Sequence, residues 1–359
     1  MRAMLAAGGT GGHLFPAEAL ATVLVRRGHE VELVTDRRAR TLCDAFPARR
    51  VHFVAAATLA KRTPRGVATM ALANAAGLAR SWGAMRGQRP DVAVGFGGYP
   101  TVPPLTAARA LKVPAVVHEA NAVMGRANRR LARHAHVATS FPSVKGLPQA
   151  RSVTHVGIPV REAVLAAAAP YDASEGTFRL LVFGGSQGAR AFADLVPPAL
   201  AALCEARRAR LAVTQQCRPE DLERTTAAYA ATEVDAELAA FFADLPARIA
   251  ASHLVVCRAG ASTVAELAVI GRPALLVPLP GALDQDQAHN ADALAAIGGG
   301  RRLDQARLTP GALAKEIGGL MDDPARLSAM AQRARRLAVP DAAERLADLC
   351  ERVGGGGAR

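Results

Sequence analysis

The chain has 359 residues, enough for about two domains of ordinary size. Half of the residues are hydrophobic, which supports a sizeable core, but no apolar run reaches the length of about 18 residues that a membrane-spanning helix needs. The net charge of +13 favours an anionic partner such as nucleic acid, acidic lipid or a phosphorylated substrate, although solvated surface arginines would give the same balance.

The five cysteines are odd in number and form no CxxC pair. This pattern argues against a disulfide framework or a zinc site and indicates a reducing compartment. No signal peptide is predicted, because the first apolar stretch runs directly into a glycine-rich loop. If the protein contacts a membrane, we expect contact from the cytoplasmic surface.

Short apolar runs alternate with alanine-rich helical segments along the whole chain. The runs are continuous, as in parallel strands covered on both faces, and their alternation with helices predicts doubly wound βαβ sheets. Strands are predicted in the first half at 2–7, 30–35, 51–55, 92–95, 113–118 and 135–139, and in the second half at 178–183, 210–214, 253–257 and 274–277.

The two halves of the chain resemble each other. GGTGG (8–12) follows the first strand, and GGSQG (184–188) follows the first strand of the second half. We therefore predict an α/β fold with two Rossmann-like doubly wound domains, broken near GIPVR, where Gly and Pro interrupt the pattern. The predicted boundaries are 1–157 and 158–340 for the domains, 341–353 for a terminal helix that could pack on either domain, and 354–359 for a disordered tail.

The first glycine loop has the form of a ligand loop. Glycines after a strand let the backbone approach a ligand, and the next helix offers free N–H groups, so an anion is predicted over Thr10, Gly11 and Gly12. A structural turn would use the same glycines. His13 lies where the loop meets the helix, and a neutral imidazole can serve as a general base. The spacing is not GxGxxG, and no clean acidic residue is predicted at the end of the second strand where a dinucleotide ribose would bind, which counts against an NAD enzyme.

Two further loops of the first half follow predicted strands. GFGGYPTVPP (95–104) is a second glycine loop, and HEANAVMGRANRR (118–130) places His118, Glu119 and Asn121 before a helix. Glu119 could form an acid/base pair with His118, could orient His13, or could merely cap the helix.

The second half contains the form of a nucleotide-sugar site. In CRAGASTVAELAVIGRPALLVP (257–278), a strand leads to Ser262 and Thr263 at a helix start, and Glu266 follows one turn later. This arrangement suits a diphosphate at the helix N-terminus and a carboxylate that accepts from ribose hydroxyls. The polar loop DQDQAHNADAL (284–294) suits sugar hydroxyls, although it could also be an N-cap run on a surface helix.

The sequence resembles the MurG family, the bacterial UDP-N-acetylglucosamine:lipid I N-acetylglucosaminyltransferases of peptidoglycan synthesis. The resemblance covers nearly the whole chain and depends on six motifs in order: GGTGGHLFPA, GFGGYPTVP, HEANAVMGRANR, VGIPVR, GGSQGAR and CRAGASTVAELAVIGRPALLVPLP. It implies the GT-B architecture, two Rossmann-like domains with a cleft between them. It also implies an inverting transfer of GlcNAc from UDP-GlcNAc to the MurNAc of lipid I, giving lipid II, with no cofactor and no bound metal.

The resemblance assigns the acceptor and the membrane to the first domain and UDP-GlcNAc mainly to the second. His13 becomes the leading candidate for deprotonating the acceptor hydroxyl, with Glu119 as its rival or orienter. In the second domain, Glu266 would bind ribose, and Phe242 falls where the family holds uracil through main-chain contacts. The residues expected to bind substrate are Thr10, Gly11, Gly12, Asn121, Arg161, Ser186, Phe242, Ala261, Ser262, Thr263, Val264, Ala265, Glu266, Gln287 and Asn290.

The family often carries Gln-Gln or His-Gln where this sequence has Asp286-Gln287. The role of Asp286 therefore stays open, and the assignment of Gln287 as a ligand of the GlcNAc hydroxyls depends on the alignment of Asn290.

A polyprenyl acceptor implies peripheral docking on the cytoplasmic face of an anionic membrane. The candidate is the segment 61–89, which as a helix would place Val67, Met70, Leu78, Trp82 and Met85 on one side, flanked by Lys61, Arg62, Arg65, Arg80, Arg86 and Arg89. Alternatively, this stripe is the core face of a Rossmann helix.

Two other functions are compatible with part of this pattern. A nucleotide-sugar epimerase of the same architecture would release UDP but would need no apolar acceptor surface. The charge would also suit nucleic acid, but aromatic residues are few and no nucleic-acid motif is present, so no nucleic-acid partner is predicted.

Overall fold

The computed structural model describes residues 1–57, 63–173, 176–185 and 188–355. Contacts divide the chain into two units, Met1–Arg161 together with the C-terminal segment from Val339, and Glu162–Ala338. The division thus falls after Arg161 rather than at residue 157. Gly157 lies against the returning segment, since a β-carbon on Gly157 would stand 2.5 Å from the β-carbon of Val339.

The first unit contains a parallel sheet with seven described strands in the order β3-β2-β1-β4-β5-β6-β7. The strands are β1 Arg2–Ala6, β2 Glu30–Thr35, β3 Arg50–Phe53, β4 Val92–Gly95, β5 Ala115–Glu119, β6 His136–Thr139 and β7 Ser152–His155. The α-helices are α1 Gly11–Arg26, α2 Pro64–Gly87, α3 Val102–Ala110 and α4 Arg126–Ala132, with the C-terminal helix named below.

The second unit contains a parallel sheet with six described strands in the order β10-β9-β8-β11-β12-β13. The strands are β8 Phe178–Phe183, β9 Leu211–Gln216, β10 Asp235–Ala239, β11 Leu254–Cys257, β12 Ala274–Leu276 and β13 Gly300–Arg302. Its α-helices are α5 Glu162–Ala166, α6 Arg190–Ala201, α7 Glu205–Arg208, α8 Leu222–Ala230, α9 Leu245–Ala251, α10 Ala261–Ile270, α11 Asp286–Ala296, α12 Pro310–Met321 and α13 Pro324–Ala334. The last helix of the chain, α14 Ala342–Gly355, belongs to the first unit. The predicted α/β fold with two doubly wound domains is confirmed.

Both faces of the first sheet are covered, which explains the continuous apolar strands. Leu5 packs in the cluster that contains Leu20 of α1 and Leu346 of α14. Its neighbour Met4 points to the opposite face, into the cluster that contains Met85 of α2. Because successive strand side chains alternate between faces, a strand buried on both sides is apolar at every position.

The C-terminal helix α14 packs on the first unit. Arg27, next to the end of α1, pairs with Asp348 at 2.8 Å, with Glu351 at 3.1 Å and also with Glu344. The helix runs to Gly355, so the expectation of a disordered tail from residue 354 is wrong for Gly354 and Gly355.

Three strands were not predicted from the sequence: β7, β10 and β13. Each lies at an edge of its sheet. An edge strand has only one paired neighbour and tolerates polar residues, as in SVTH and GRR, so it lacks the apolar run that the prediction required.

The apolar stripe predicted on α2 is buried in the C-terminal half of the helix, whereas apolar residues in the N-terminal half are exposed. Met85 is fully buried, and Leu78 and Trp82 pack against the same core cluster, so this half is a core face. Toward the N-terminus, Val67 is 47% exposed and Leu72 is 71% exposed. Lys61 and Arg62 lie outside the described residues. None of the helices in the described ranges is long and apolar enough to cross a membrane.

Candidate active site

The first glycine loop ends at the start of α1. Thr10 occupies the N-cap position in an extended conformation, and its side chain makes no capping hydrogen bond. The first amides of any helix lack intrahelical acceptors and lie at the positive end of the helix dipole. Gly11 and Gly12 occupy these positions, and Gly12 is exposed. The loop can therefore present backbone donors to an anion.

Asp36 fixes this loop from the end of β2. Contrary to expectation, an acidic residue does stand at the end of the second strand, because Asp36 directly follows Thr35. Its carboxylate accepts from the amide of Gly9 at 3.0 Å and from the amide of Arg38 at 2.8 Å. Burial alone would raise the pKa of Asp36, but the hydrogen bonds from Arg38 and Gly9 bring that pKa below its usual value. The Asp36 carboxylate is thus bound to the loop and to Arg38.

Three glycines enclose the imidazole of His13. A β-carbon on Gly8 would stand 3.0 Å from Cδ2, and one on Gly98 would stand 3.3 Å from the same atom. A β-carbon on Gly97 would stand 3.4 Å from Cε1. Gly97 and Gly98 have φ of +89° and +75°, a backbone conformation that favours glycine. The second glycine loop therefore provides the space for the His13 ring, a relationship that no local sequence pattern reveals.

The surroundings of His13 favour its neutral form. Nδ1 is buried and has no hydrogen-bond partner among the described residues. Burial lowers the pKa of His13, and the nearby positive charge of Arg38 lowers it further, while the backbone of Phe96 acts in the opposite direction. A neutral imidazole at pH 7 is the form that can accept a proton.

Glu119, at the end of β5, is saturated with hydrogen bonds. Its side chain is buried, and Oε1 accepts from the amide of Asn121 at 2.9 Å and from its Nδ2 at 3.2 Å. Oε2 accepts from the amide of Gly125 at 3.0 Å and from Nδ2 of Asn128 at 2.9 Å. Burial raises the pKa of Glu119, and these four donors oppose that effect. The carboxylate thus organises the loop after β5, and Asn121 is one of its partners.

His118 and Asn128 support this region from the core. Nε2 of His118 lies 3.0 Å from the carbonyl oxygen of Gly157, and burial lowers the pKa of His118 to about 4. Nδ2 of Asn128 donates to the carbonyl oxygen of His118 at 3.1 Å as well as to Glu119. The sequence analysis did not select Asn128, because an asparagine inside a helix carries no distinctive local signal.

Arg161 lies in the first unit, at its boundary. Its guanidinium carbon stands 4.1 Å from the ring centroid of Phe15, and its Nε is buried without a partner in the described part of the chain. The ring of Phe15 thus orients the Arg161 guanidinium, whose Nε–H lacks an acceptor among the described residues.

In the second unit, α10 begins at Ala261 without a side-chain cap. Oγ of Ser262 is buried and has no hydrogen-bond partner within the described ranges. Val264, a predicted substrate-binding residue, is fully buried, and its amide donates to the carbonyl oxygen of Gly260 at 3.0 Å. Thr263, Ala265 and Glu266 are half-buried on the next positions of the helix. The end of this helix therefore carries an unsatisfied hydroxyl where a diphosphate was predicted.

The polar loop before α11 is strained at two positions. Asp284 and Gln285 have φ of 57° and 53°, which is rare for residues with a side chain and is common at functional sites. Oε1 of Gln287 accepts from the amide of Leu279 at 3.0 Å, and the half-buried carboxyl of Asp286 accepts from the amide of Gln287 at 2.7 Å. Burial raises the pKa of Asp286.

Asn290 is fully buried, and its Nδ2 donates to the carbonyl oxygen of Ala259 at 3.1 Å. This bond ties α11 to the loop that precedes α10, so the two predicted donor-binding segments are adjacent in the second unit.

Phe242 is also buried, and Arg248 covers its ring at 4.3 Å. The ring of Phe242 is therefore covered. Ser186 lies outside the described residues. Within the described part of the chain, no group of three or more His, Cys, Asp or Glu side chains could hold a metal ion.

The sequence matches a known glycosyltransferase family in both of its halves. Residues 3–139 match the glycosyltransferase family 28 N-terminal domain, and residues 179–346 match the glycosyltransferase family 28 C-terminal domain. The fold and these matches define a family 28 glycosyltransferase.

Individual relatives narrow the class further. The chain is 54% identical over 356 residues to the UDP-N-acetylglucosamine–N-acetylmuramyl-(pentapeptide) pyrophosphoryl-undecaprenol N-acetylglucosamine transferase of Rhodopseudomonas palustris (strain HaA2), covering 98% of this chain and 97% of the relative. The crystal structure of Acinetobacter baumannii MurG matches with a TM-score of 0.80 and 31% identity, covering 98% of this chain and 99% of the other. The chain belongs to this transferase family, and the resemblance predicted from the six motifs is confirmed.

The fold alone does not separate this family from the epimerases. The UDP-GlcNAc 2-epimerase of Neisseria meningitidis, determined with UDP-GlcNAc bound, matches with a TM-score of 0.69 but only 13% identity over 97% of this chain and 99% of the other. That likeness concerns the architecture, whereas the transferase relatives match in sequence along nearly the full length.

Proposed function

We propose that this chain transfers GlcNAc from UDP-GlcNAc to the MurNAc of lipid I, with inversion, and so forms lipid II. The observation that carries the proposal is the identity of 54% along almost the whole chain to a transferase of that name. The chemistry of the described residues agrees with it. One unit has a neutral imidazole beside a glycine loop, and the other has a helix start with an unsatisfied hydroxyl.

In the proposed reaction, the acceptor hydroxyl attacks C1 of the GlcNAc while the bond from C1 to the diphosphate oxygen breaks. His13 accepts the hydroxyl proton, and UDP leaves with the electron pair of the broken bond. Its burial and the charge of Arg38 support His13 as the base, because both keep the imidazole neutral. Glu119 is a weaker candidate, because its two oxygens already accept four hydrogen bonds.

For the donor, we propose that the start of α10 binds the diphosphate of UDP-GlcNAc. The amides at this helix end and the hydroxyl of Ser262 would stabilise the charge that develops on the leaving group. Glu266 would accept from the ribose hydroxyls, and the main chain at Phe242 would contact uracil. Gln287 would contact the GlcNAc hydroxyls. Asn290 would support that subsite from the interior of the unit, since its amide is buried.

We also propose that the protein docks peripherally on the cytoplasmic face of an anionic membrane, where a polyprenyl acceptor resides. The exposed N-terminal half of α2 supports this, since Val67 and Leu72 are apolar and exposed and Arg65 is an exposed cation in the first turn of the same helix. The Trp82 half of the helix is not part of the proposed surface, because it packs on the core.

The central test is incubation with UDP-GlcNAc and a lipid I analogue, with UDP release and the disaccharide product measured together. Transfer predicts that UDP release requires the acceptor and equals product formation. UDP release without acceptor, accompanied by an epimerised sugar, would instead indicate an epimerase.

A further inference from the structure

Arg38 is held rigidly beside the first glycine loop. Its Nε and Nη2 donate to the two carboxylate oxygens of Asp36 at 3.0 and 2.8 Å. Its guanidinium carbon stands 5.1 Å from the ring centroid of Tyr99. Two independent contacts, a bidentate ion pair and an aromatic face, thus fix one exposed cation, whose side chain is 52% accessible.

One edge of this guanidinium remains unused. The pairing with Asp36 occupies the edge formed by Nε and Nη2, whereas Nη1 has no hydrogen-bond partner in the described part of the chain. A planar guanidinium can bind a carboxylate with one edge and a phosphate oxygen with its remaining N–H groups. Asp36 therefore orients Arg38 and leaves donors for an anion.

Arg38 is also adjacent to the site elements of the first unit. A β-carbon on Gly9 would stand 2.9 Å from the β-carbon of Arg38, so the residue packs directly on the loop that leads into α1. The same Asp36 carboxylate accepts from the Gly9 amide, which couples the position of the loop to that of the guanidinium. The charge of Arg38 acts on His13 as well.

We propose that Arg38 binds the diphosphate of the lipid-linked acceptor and thereby positions the acceptor hydroxyl beside His13. The inference rests on the proposed function and adds to it an acceptor-binding residue that no motif of the sequence indicated. Asp36 and Tyr99 act as positioning residues for Arg38. The competing interpretation is that Arg38 only stabilises the short 3-10 turn of residues 37–42 through its pair with Asp36.

The test compares two acceptors, a lipid I analogue with its diphosphate and the same sugar-peptide on a neutral linker. Arg38→Ala should raise the KM of the diphosphate acceptor about 10- to 100-fold, the effect of losing a charge-assisted hydrogen bond, and should leave the KM of the neutral acceptor and of UDP-GlcNAc unchanged. The matched control is Arg40→Ala, which removes the same charge from the same turn and should leave all three KM values unchanged.

Arg38→Lys is a second, milder variant that keeps the inference testable if Arg38→Ala does not fold. Arg38→Lys keeps the charge but lacks the planar fork, so it should raise the KM of the diphosphate acceptor less than Arg38→Ala does, again without effect on the neutral acceptor. An equal rise for both acceptors, or no rise in either folded variant, would overturn the inference.

A binding measurement separates this inference from the proposed function. Inorganic pyrophosphate is titrated into the protein in the presence of saturating UDP, which occupies the proposed donor site. Wild type and Arg40→Ala should bind pyrophosphate alike, and Arg38→Ala should bind it about 10-fold or more weakly. If GlcNAc transfer is absent but this difference persists, the proposed function fails and the anion site stands. If transfer occurs and the difference is absent, the role of Arg38 is refuted.

Discussion

The imidazole of His13 lies against the backbone of Gly97, so that a β-carbon on Gly97 would stand 3.4 Å from Cε1 and 3.5 Å from Nδ1 of that ring. The two residues come from different strand–loop units of the sheet, β1 and β4, whose parallel pairing brings their carboxyl ends together. The position of the proposed base is therefore set by the absence of a side chain on the neighbouring loop.

Gly98→Ala should lower kcat through a shift of the His13 ring. The positive φ of Gly98 makes alanine cost about 1–2 kcal/mol in the free energy of unfolding, and the added methyl would stand 3.3 Å from Cδ2 of His13, so the ring must give way. A misplacement of about 1 Å can cost roughly 100-fold in rate, so kcat should fall by up to that factor. Steady-state kinetics and thermal unfolding measure the two effects.

The matched control is Gly28→Ala. Gly28 has a φ of +80°, but a β-carbon there would meet no atom within 4 Å. This variant should lose a similar free energy of unfolding and keep its kcat. Equal kcat values for Gly98→Ala and Gly28→Ala would show that the Gly98 contact does not position His13.

His13→Ala should lower kcat about 10²- to 10⁴-fold if His13 is the base. Because burial and the charge of Arg38 lower the pKa of His13, the neutral form persists below the ordinary pKa of 6.5. The acid limb of kcat/KM should therefore lie below pH 6.5, with activity lost only as the pH falls through the lowered pKa. A limb above pH 6.5 would exclude His13 as the titrating base.

The comparison variant is Glu119→Gln, which places an NH2 donor among four existing donors. Since a buried donor without an acceptor costs about 1–3 kcal/mol, the free energy of unfolding should fall by at least this amount. The loss of kcat in the folded fraction should be smaller than for His13→Ala. The reverse ranking would exchange the roles of the two residues.

Glu266→Ala should raise the KM of UDP-GlcNAc about 10- to 100-fold, because a charge-assisted hydrogen bond to ribose is lost in both ground and transition states. The KM of the acceptor should change far less. Glu205→Ala, an exposed carboxylate in the same unit, is the control and should change neither value. An unchanged donor KM in folded Glu266→Ala would remove this residue from the donor site.

Leu72→Glu should abolish sedimentation with anionic vesicles at low salt while leaving the melting temperature and UDP-GlcNAc binding intact, because Leu72 is 71% exposed. Trp82→Glu should instead lower the melting temperature, because Trp82 packs on the core cluster that contains Met85. Sedimentation of Leu72→Glu equal to that of wild type would place the docking surface elsewhere.

Interior strands and glycine loops were predictable because their signals are local. A strand covered on both faces is apolar at every position, so β1, β4 and β8 were found from composition alone. The loop of residues 8–12 was found in the same way, since consecutive glycines after such a strand mark a turn or loop. The edge strand β10 lacked this signal, because DAELA alternates polar and apolar residues on an edge.

The sequence by itself determined the two doubly wound domains, the family and the set of polar residues at the strand ends, because apolar periodicity and motif order are properties of neighbouring positions. Only the tertiary structure decided which of these polar side chains are buried and already hydrogen-bonded. In the sequence, Glu119 was a candidate acid/base or orienting residue and Asn290 a candidate ligand, but both are buried in the structure, and the loop after β5 together with α4 provides four donors to Glu119. Arg38 carried no motif, yet Asp36 and Tyr99 fix it beside the glycine loop. Burial depends on residues that are distant in sequence, and these hydrogen bonds depend on loop conformations that the fold fixes, so the sequence alone could not show which side chains are already bonded.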